Sequence, residues 1–180
     1  QQYKPQTTAD LHLIKTHYIP DELVNRFSGL SVSADNDVLF ASSHRDLRDA
    51  AASAIRMGWT TNDTAVSYLD QVFKWYQASE QLSFVNIKYE DFKTDPQPQI
   101  RYVADSLGFE TDEAEIAAIA EALEAIKTKK VSEQYDRETL MLPNHIGKGE
   151  IGIYKEIMSE ETAQKIADNH RDWMTARSYL

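Results

Sequence analysis

Arg45, Asp49 and Ser53 stand at four-residue intervals within "VLFASSHRDLRDAAASAIRMGW" (38–59), where an apolar run gives way to an alanine-rich stretch. An arginine can fork two hydrogen bonds onto a phosphate. At a helix start, the unbonded amides and the helix dipole favour the same anion. Ser53 lies about two helical turns beyond Arg45, close to the face that carries Arg45 and Asp49, and its hydroxyl could add a contact. The competing reading is that Arg45, Asp46, Arg48 and Asp49 form only an exposed ladder of salt bridges. On this segment alone the two readings stand level.

A second constellation lies upstream. "IKTHYIP" (14–20) puts Lys15 and His17 on one side of a strand by alternation. A lysine supplies fixed positive charge, and a histidine can act as general base near neutral pH. The plain alternative is a surface lysine and a core histidine. "HRDL" (44–47) also occurs in the catalytic loop of protein kinases, but that loop requires an asparagine where Ala51 stands. With no Gly-rich loop before it and no DFG triplet after it, the kinase reading is set aside. His44, His145 and His170 have no partners at metal-ligand spacing, so no metal is expected.

These residues need strands and helices to place them. "LHLIKTH" (11–17), "DVLFASS" (37–43) and "LSFVNIKY" (82–89) read as short, mostly apolar strands. Helical patterns cover 46–57, stopped by Gly58, then 63–79, 98–107, stopped by Gly108, 112–127 and 160–177. Asp112 or Thr111 would cap the fourth and Ser159 the fifth. Strands alternating with helices imply an α/β fold with a mostly parallel sheet. In such sheets ligands sit beyond the carboxyl ends of the strands, which is where Arg45 falls. Residues 128–158 lack a clear period and read as a long ordered loop, a common place for function.

Composition bounds the classes. The 180 residues are 42% hydrophobic and 27% charged, enough for one globular domain with a core. The net charge of −10 argues against a general nucleic-acid binder, while local cations can still build an anion site. The stretch 110–125 is acidic without a basic residue and reads as a solvated helix face. No cysteine is present, which rules out disulfides and thiolate chemistry and fits a cytoplasmic protein. No run is long enough and apolar enough for a membrane span, and no signal peptide is visible.

In order along the chain, these pieces resemble the sulfotransferases that use 3′-phosphoadenosine 5′-phosphosulfate (PAPS). "IKTHYIPDEL" is similar to the family's Lys-Thr-His segment. "VLFASSHRDLRDAAASAIR" is similar to its 3′-phosphate segment, with Arg45, Asp49 and Ser53 in register. "IKYEDFKTDPQPQIRYVADSLGF" resembles its Tyr-Glu-Asp segment and the helix after it. "IGKGEIGIYKEIMSEE" resembles its closing loop, matching at Lys148, Gly149, Gly152, Tyr154 and Lys155. The likeness runs from about 11 to 178. There are departures. Gly147 stands where many members carry arginine, with His145 nearby, and Ile153 replaces the usual acid before the aromatic residue. The family's Gly/Ser/Thr-rich loop for the 5′-phosphosulfate, with its lysine, is not found in "QQYKPQTTAD" (1–10).

The resemblance implies an α/β fold: a P-loop-NTPase-like parallel sheet flanked by helices, here lacking its first strand and loop. Residues 1–180 would then be a single sulfotransferase-like domain, N-terminally incomplete. It further implies transfer of a sulfuryl group from PAPS to a hydroxyl or amine, with 3′-phosphoadenosine 5′-phosphate as product. His17 would be the base and Lys15 would stabilise charge on the transferring group. Arg45 and Ser53 would hold the 3′-phosphate, Tyr89 would flank adenine, and Lys148 with Gly149 would close over the phosphate end. No metal takes part. The acceptor, a small molecule or carbohydrate, would meet loops 18–36, 58–64 and 128–146, with Trp59, Tyr135 and Met141 as apolar wall or as ordinary packing. No nucleic-acid partner is expected, and a homo-oligomer is left open. The alternative from another class is a non-catalytic sulfotransferase-like structural or interaction module. A different P-loop-class transferase explains the four ordered segments less well.

Overall fold

The computed structural model describes residues 40–128 and 149–180. Their contacts fall into two compact units, one of residues 40–44 and 75–128, the other of 45–74 and 149–180.

The first unit is built on two parallel strands, β1 (Phe40–His44) and β2 (Ser83–Lys88). Ala41 pairs with Val85 and His44 with Lys88, after a register shift next to Phe40. Val85 is buried, which turns one face of β2 to the interior. Helix α2 (Ala65–Leu82), of which residues 75–82 belong to this unit and 65–74 to the second, leads into β2 without a loop. Its end is fastened to that strand by Glu80 Oε1, which accepts from the Tyr76 hydroxyl (2.9 Å) and from Asn86 Nδ2 (3.1 Å). Leu82, expected to open the strand, is the last helical residue. Tyr89, expected to end it, is the first residue of α3 (Tyr89–Thr94), a helix the sequence pattern did not announce.

Helix α4 (Pro96–Leu107) starts two residues before the expected Pro98. Asp95 caps it and Pro96 opens it, a position where a missing N–H costs nothing. Gly108 ends it in the left-handed region (φ 75°), as expected. Helix α5 (Glu113–Thr128) starts with a reciprocal box: Glu115 N donates to Asp112 Oδ1 (2.8 Å), and Asp112 N to Glu115 Oε2 (3.0 Å). Ile100, Ile116 and Ala120 form a small core between α4 and α5, flanked by Phe92 and Leu123. Glu113, Glu115, Glu121 and Glu124 are exposed, in keeping with a solvated acidic face.

In the second unit α1 (Leu47–Arg56) packs its small side chains inward, with Ala51 and Ala52 at 0% exposure. Small residues let helices approach closely, and α1 meets α6 (Tyr154–Ile157) and α7 (Glu160–Asn169) there. Gly58 (φ 74°) stops α1 as expected. Ser159 caps α7, its hydroxyl accepting from Thr162 N at 3.1 Å. The helix expected over 160–177 is broken: α7 ends at Asn169 and α8 (Arg171–Ala176) follows. The break falls on His170, whose Nε2 lies 2.9 Å from Asp70 Oδ1 and whose ring packs on Phe73.

The described residues are therefore mostly helical, with one small parallel sheet of two strands in the first unit. That agrees with an α/β fold but does not display the larger P-loop-like sheet expected from the sequence. The strand expected at 11–17 lies outside the described residues.

Candidate functional site

The turn after β1 behaves differently from a simple anion nest. Asp46 is the cap of α1, and its Oδ1 accepts from Arg48 N (2.9 Å). A carboxylate of the protein itself thus occupies the helix end that the sequence reading offered to a ligand anion. The same carboxylate takes a fork from Arg48, Nε to Oδ1 at 3.0 Å and Nη2 to Oδ2 at 2.6 Å. Arg48 Nη2 also donates to the Tyr179 carbonyl (2.8 Å), and its guanidinium lies 4.5 Å from the centre of the Tyr154 ring. The hydrogen bonds that Arg48 donates to Asp46 raise its pKa above the ordinary value, against burial, which lowers it. Arg48 is therefore a fixed cation.

Arg45 precedes the cap and is not itself helical. Its Nη2 lies 3.3 Å from Asp49 Oδ2, and its side chain keeps 20% of its surface exposed. Asp49 is fully buried. A lone buried carboxylate would be costly. Here it is compensated: Oδ2 accepts from Gly152 N (2.7 Å) and Oδ1 from Tyr154 N (3.0 Å). Those amides open α6, whose cap residue Ile153 offers no side-chain bond. Asp49 thus caps a helix from more than a hundred residues away in the chain. Gly152 makes the turn possible at φ 82°.

The salt-bridge ladder weighed from the sequence does form, but it is not exposed: Asp46 is 8% and Asp49 0% accessible. It does not replace the anion reading either: the Arg45 side chain keeps part of its surface open to solvent, although its Nε and Nη2 are buried. Ser53, half-buried, sits on α1 two turns beyond Arg45 as the spacing predicted. Gly149, at φ 60°, and the turn 151–153 lead into α6 in the same unit. In the first unit, Tyr89 follows Lys88 directly at the carboxyl end of β2 and is half-buried. Lys15, His17 and Lys148 lie outside the described residues, as do Tyr135 and Met141. Trp59 is described and is 49% exposed. No group of His, Cys, Asp and Glu suited to a metal occurs among the described residues. No described helix is long and apolar enough to cross a membrane.

The tertiary roles of three residues have no signal in the sequence. Arg48 and Asp46 were legible as charges at a helix start, but nothing in the sequence ties Arg48 to Tyr154 and Tyr179. Asp49 was in the motif without a task; its i, i+4 spacing from Arg45 was the only local signal.

One protein-family model, described as "Sulfotransferase domain", matches residues 35–177. No curated protein and no solved structure matches the chain.

Proposed function

The chain belongs to the sulfotransferase domain family, and on that premise we propose that it moves a sulfuryl group from PAPS to a hydroxyl or amine of a small-molecule or carbohydrate acceptor. Membership supports sulfuryl transfer in general. Such a reaction, like phosphoryl transfer, depends on in-line positioning and charge stabilisation. The acceptor oxygen or nitrogen forms a bond to sulfur as the bond to the phosphate oxygen breaks. His17 takes the acceptor proton, and 3′-phosphoadenosine 5′-phosphate leaves. Lys15 stabilises charge at the transferring group. Arg45 and Ser53 hold the 3′-phosphate, Tyr89 flanks adenine, and Lys148 with Gly149 closes over the phosphate end.

One observation carries this reading. Two segments that resemble the family at distant places in the chain, the Arg-Asp-Ser segment and the closing loop, meet on the Asp49 carboxylate. An arginine anchored at that junction, its side chain 20% exposed though its Nε and Nη2 are buried, fits recognition of a phosphate.

The test is calorimetric titration with 3′-phosphoadenosine 5′-phosphate. Binding is expected in the wild type and weakened about 10- to 100-fold in Arg45→Ala, the scale of one or two charge-assisted hydrogen bonds. His17→Ala should keep that affinity and lose transfer to acceptor. A wild type that ignores the nucleotide would sink the proposal and leave a non-catalytic domain. Full transfer by His17→Ala would remove the base from it.

A further inference from the structure

We infer, resting on the 3′-phosphate reading of Arg45, that Asp49 is a positioning residue that makes Arg45 and the closing turn at 152–154 one mechanical unit.

The geometry is specific. One carboxylate oxygen is shared between Gly152 N (2.7 Å) and Arg45 Nη2 (3.3 Å). The other takes Tyr154 N (3.0 Å). The Arg45 contact is an ion pair without hydrogen-bond alignment, so it holds the planar, rigid guanidinium beside the carboxylate by charge. The same oxygen fixes the backbone at Gly152, so a shift of the turn is felt at the arginine. Burial strengthens the link, because a fully buried carboxylate has no water to replace a lost partner. Tyr154 is held a second time, by the Arg48 guanidinium over its ring, so the turn is fixed at both backbone and side chain.

A merely structural carboxylate would need only its two amide bonds. The contact to Arg45 adds a functional consequence: the orientation of the phosphate-binding cation depends on the closing turn being seated. Occupation of Arg45 by a phosphate should in turn slow exchange of the Gly152 and Tyr154 amides.

The test is a double-mutant cycle in the purified full-length protein, read by titration with 3′-phosphoadenosine 5′-phosphate and by amide exchange. Asp49→Asn turns one acceptor into a donor facing an N–H. It should weaken the nucleotide about 10-fold, as expected when the ion pair that orients Arg45 is lost. KM for PAPS should rise more than kcat falls. In an Arg45→Ala background the same change should cost less than about 2-fold, because the residue it acts through is gone. Equal losses in both backgrounds, or undiminished binding by folded Asp49→Asn, would overturn the positioning role while leaving the nucleotide site standing. A wild type that fails to bind overturns the nucleotide reading itself, and the role with it.

Should Asp49→Asn not fold by circular dichroism, Gly152→Ala replaces it. The added Cβ meets nothing within 4 Å, while φ +82° strains any residue other than glycine. That variant loosens the turn and leaves Asp49 and Arg45 intact. Weaker binding that disappears as an effect in the Arg45→Ala background supports the coupling; a background-independent cost refutes it.

Discussion

Two alanine-rich helices, α1 and α5, open with the same local device and use it differently. Both start at an aspartate whose side chain accepts a backbone N–H of the first turn, Asp46 from Arg48 and Asp112 from Glu115. Both carry further acid in that turn. At α5 the bonds stay within four residues and the acids face solvent. At α1 both aspartates are buried and their network reaches Gly152, Tyr154 and the Tyr179 carbonyl. A cap is a local event worth about 1 kcal/mol. The same carboxylate becomes a tertiary element once burial removes water and long-range donors take its place.

Three substitutions separate the two cases, in descending order. Asp46→Ala removes the cap of α1 and leaves the Arg48 guanidinium without its carboxylate. It should cost about 2–3 kcal/mol, read as a fall in the urea midpoint at unchanged m-value. A loss no larger than that of an ordinary cap would show that the buried pair adds nothing. Asp112→Ala removes only a surface cap, so about 1 kcal/mol is expected, with the nucleotide titration unaltered. A larger effect would mean that the Asp112 side chain carries contacts beyond the first turn of α5. Glu113→Gln breaks the ion pair with Arg101, in which the glutamate is 85% exposed. Its effect should stay within about 0.5 kcal/mol and fade with salt. A cost comparable to Asp46→Ala would erase the contrast between exposed and buried charge.

Local signals were read well. Gly58 and Gly108 end their helices, Asp112 and Ser159 begin theirs, and the Arg45–Asp49–Ser53 spacing lands on α1 as predicted. Errors arose where neighbours far along the chain overruled periodicity. The apolar 160–177 pattern is continuous, yet the helix breaks at His170, whose ring is engaged by Asp70 and Phe73. Leu82 looks like a strand residue but completes α2, and Tyr89 starts a short helix instead of ending a strand. Arg48 gave no sequence signal for its role, because cation–π and carbonyl partners carry no fixed spacing.

By itself, the sequence determined the helix stops at Gly58 and Gly108, the caps at Asp112 and Ser159, the order of four family-like segments and the presence of a cation after β1. Each follows from backbone preferences, caps and turns that act over a few residues. The tertiary structure alone decided that the charges at the start of α1 are buried, that Asp46 fills the helix end offered to an anion, and that Asp49 holds Arg45 and the turn at Gly152 together. Burial and long-range donors depend on where the chain returns, which no local pattern encodes. The same carboxylate is a surface cap in water and a joint in the interior, and packing chooses between them.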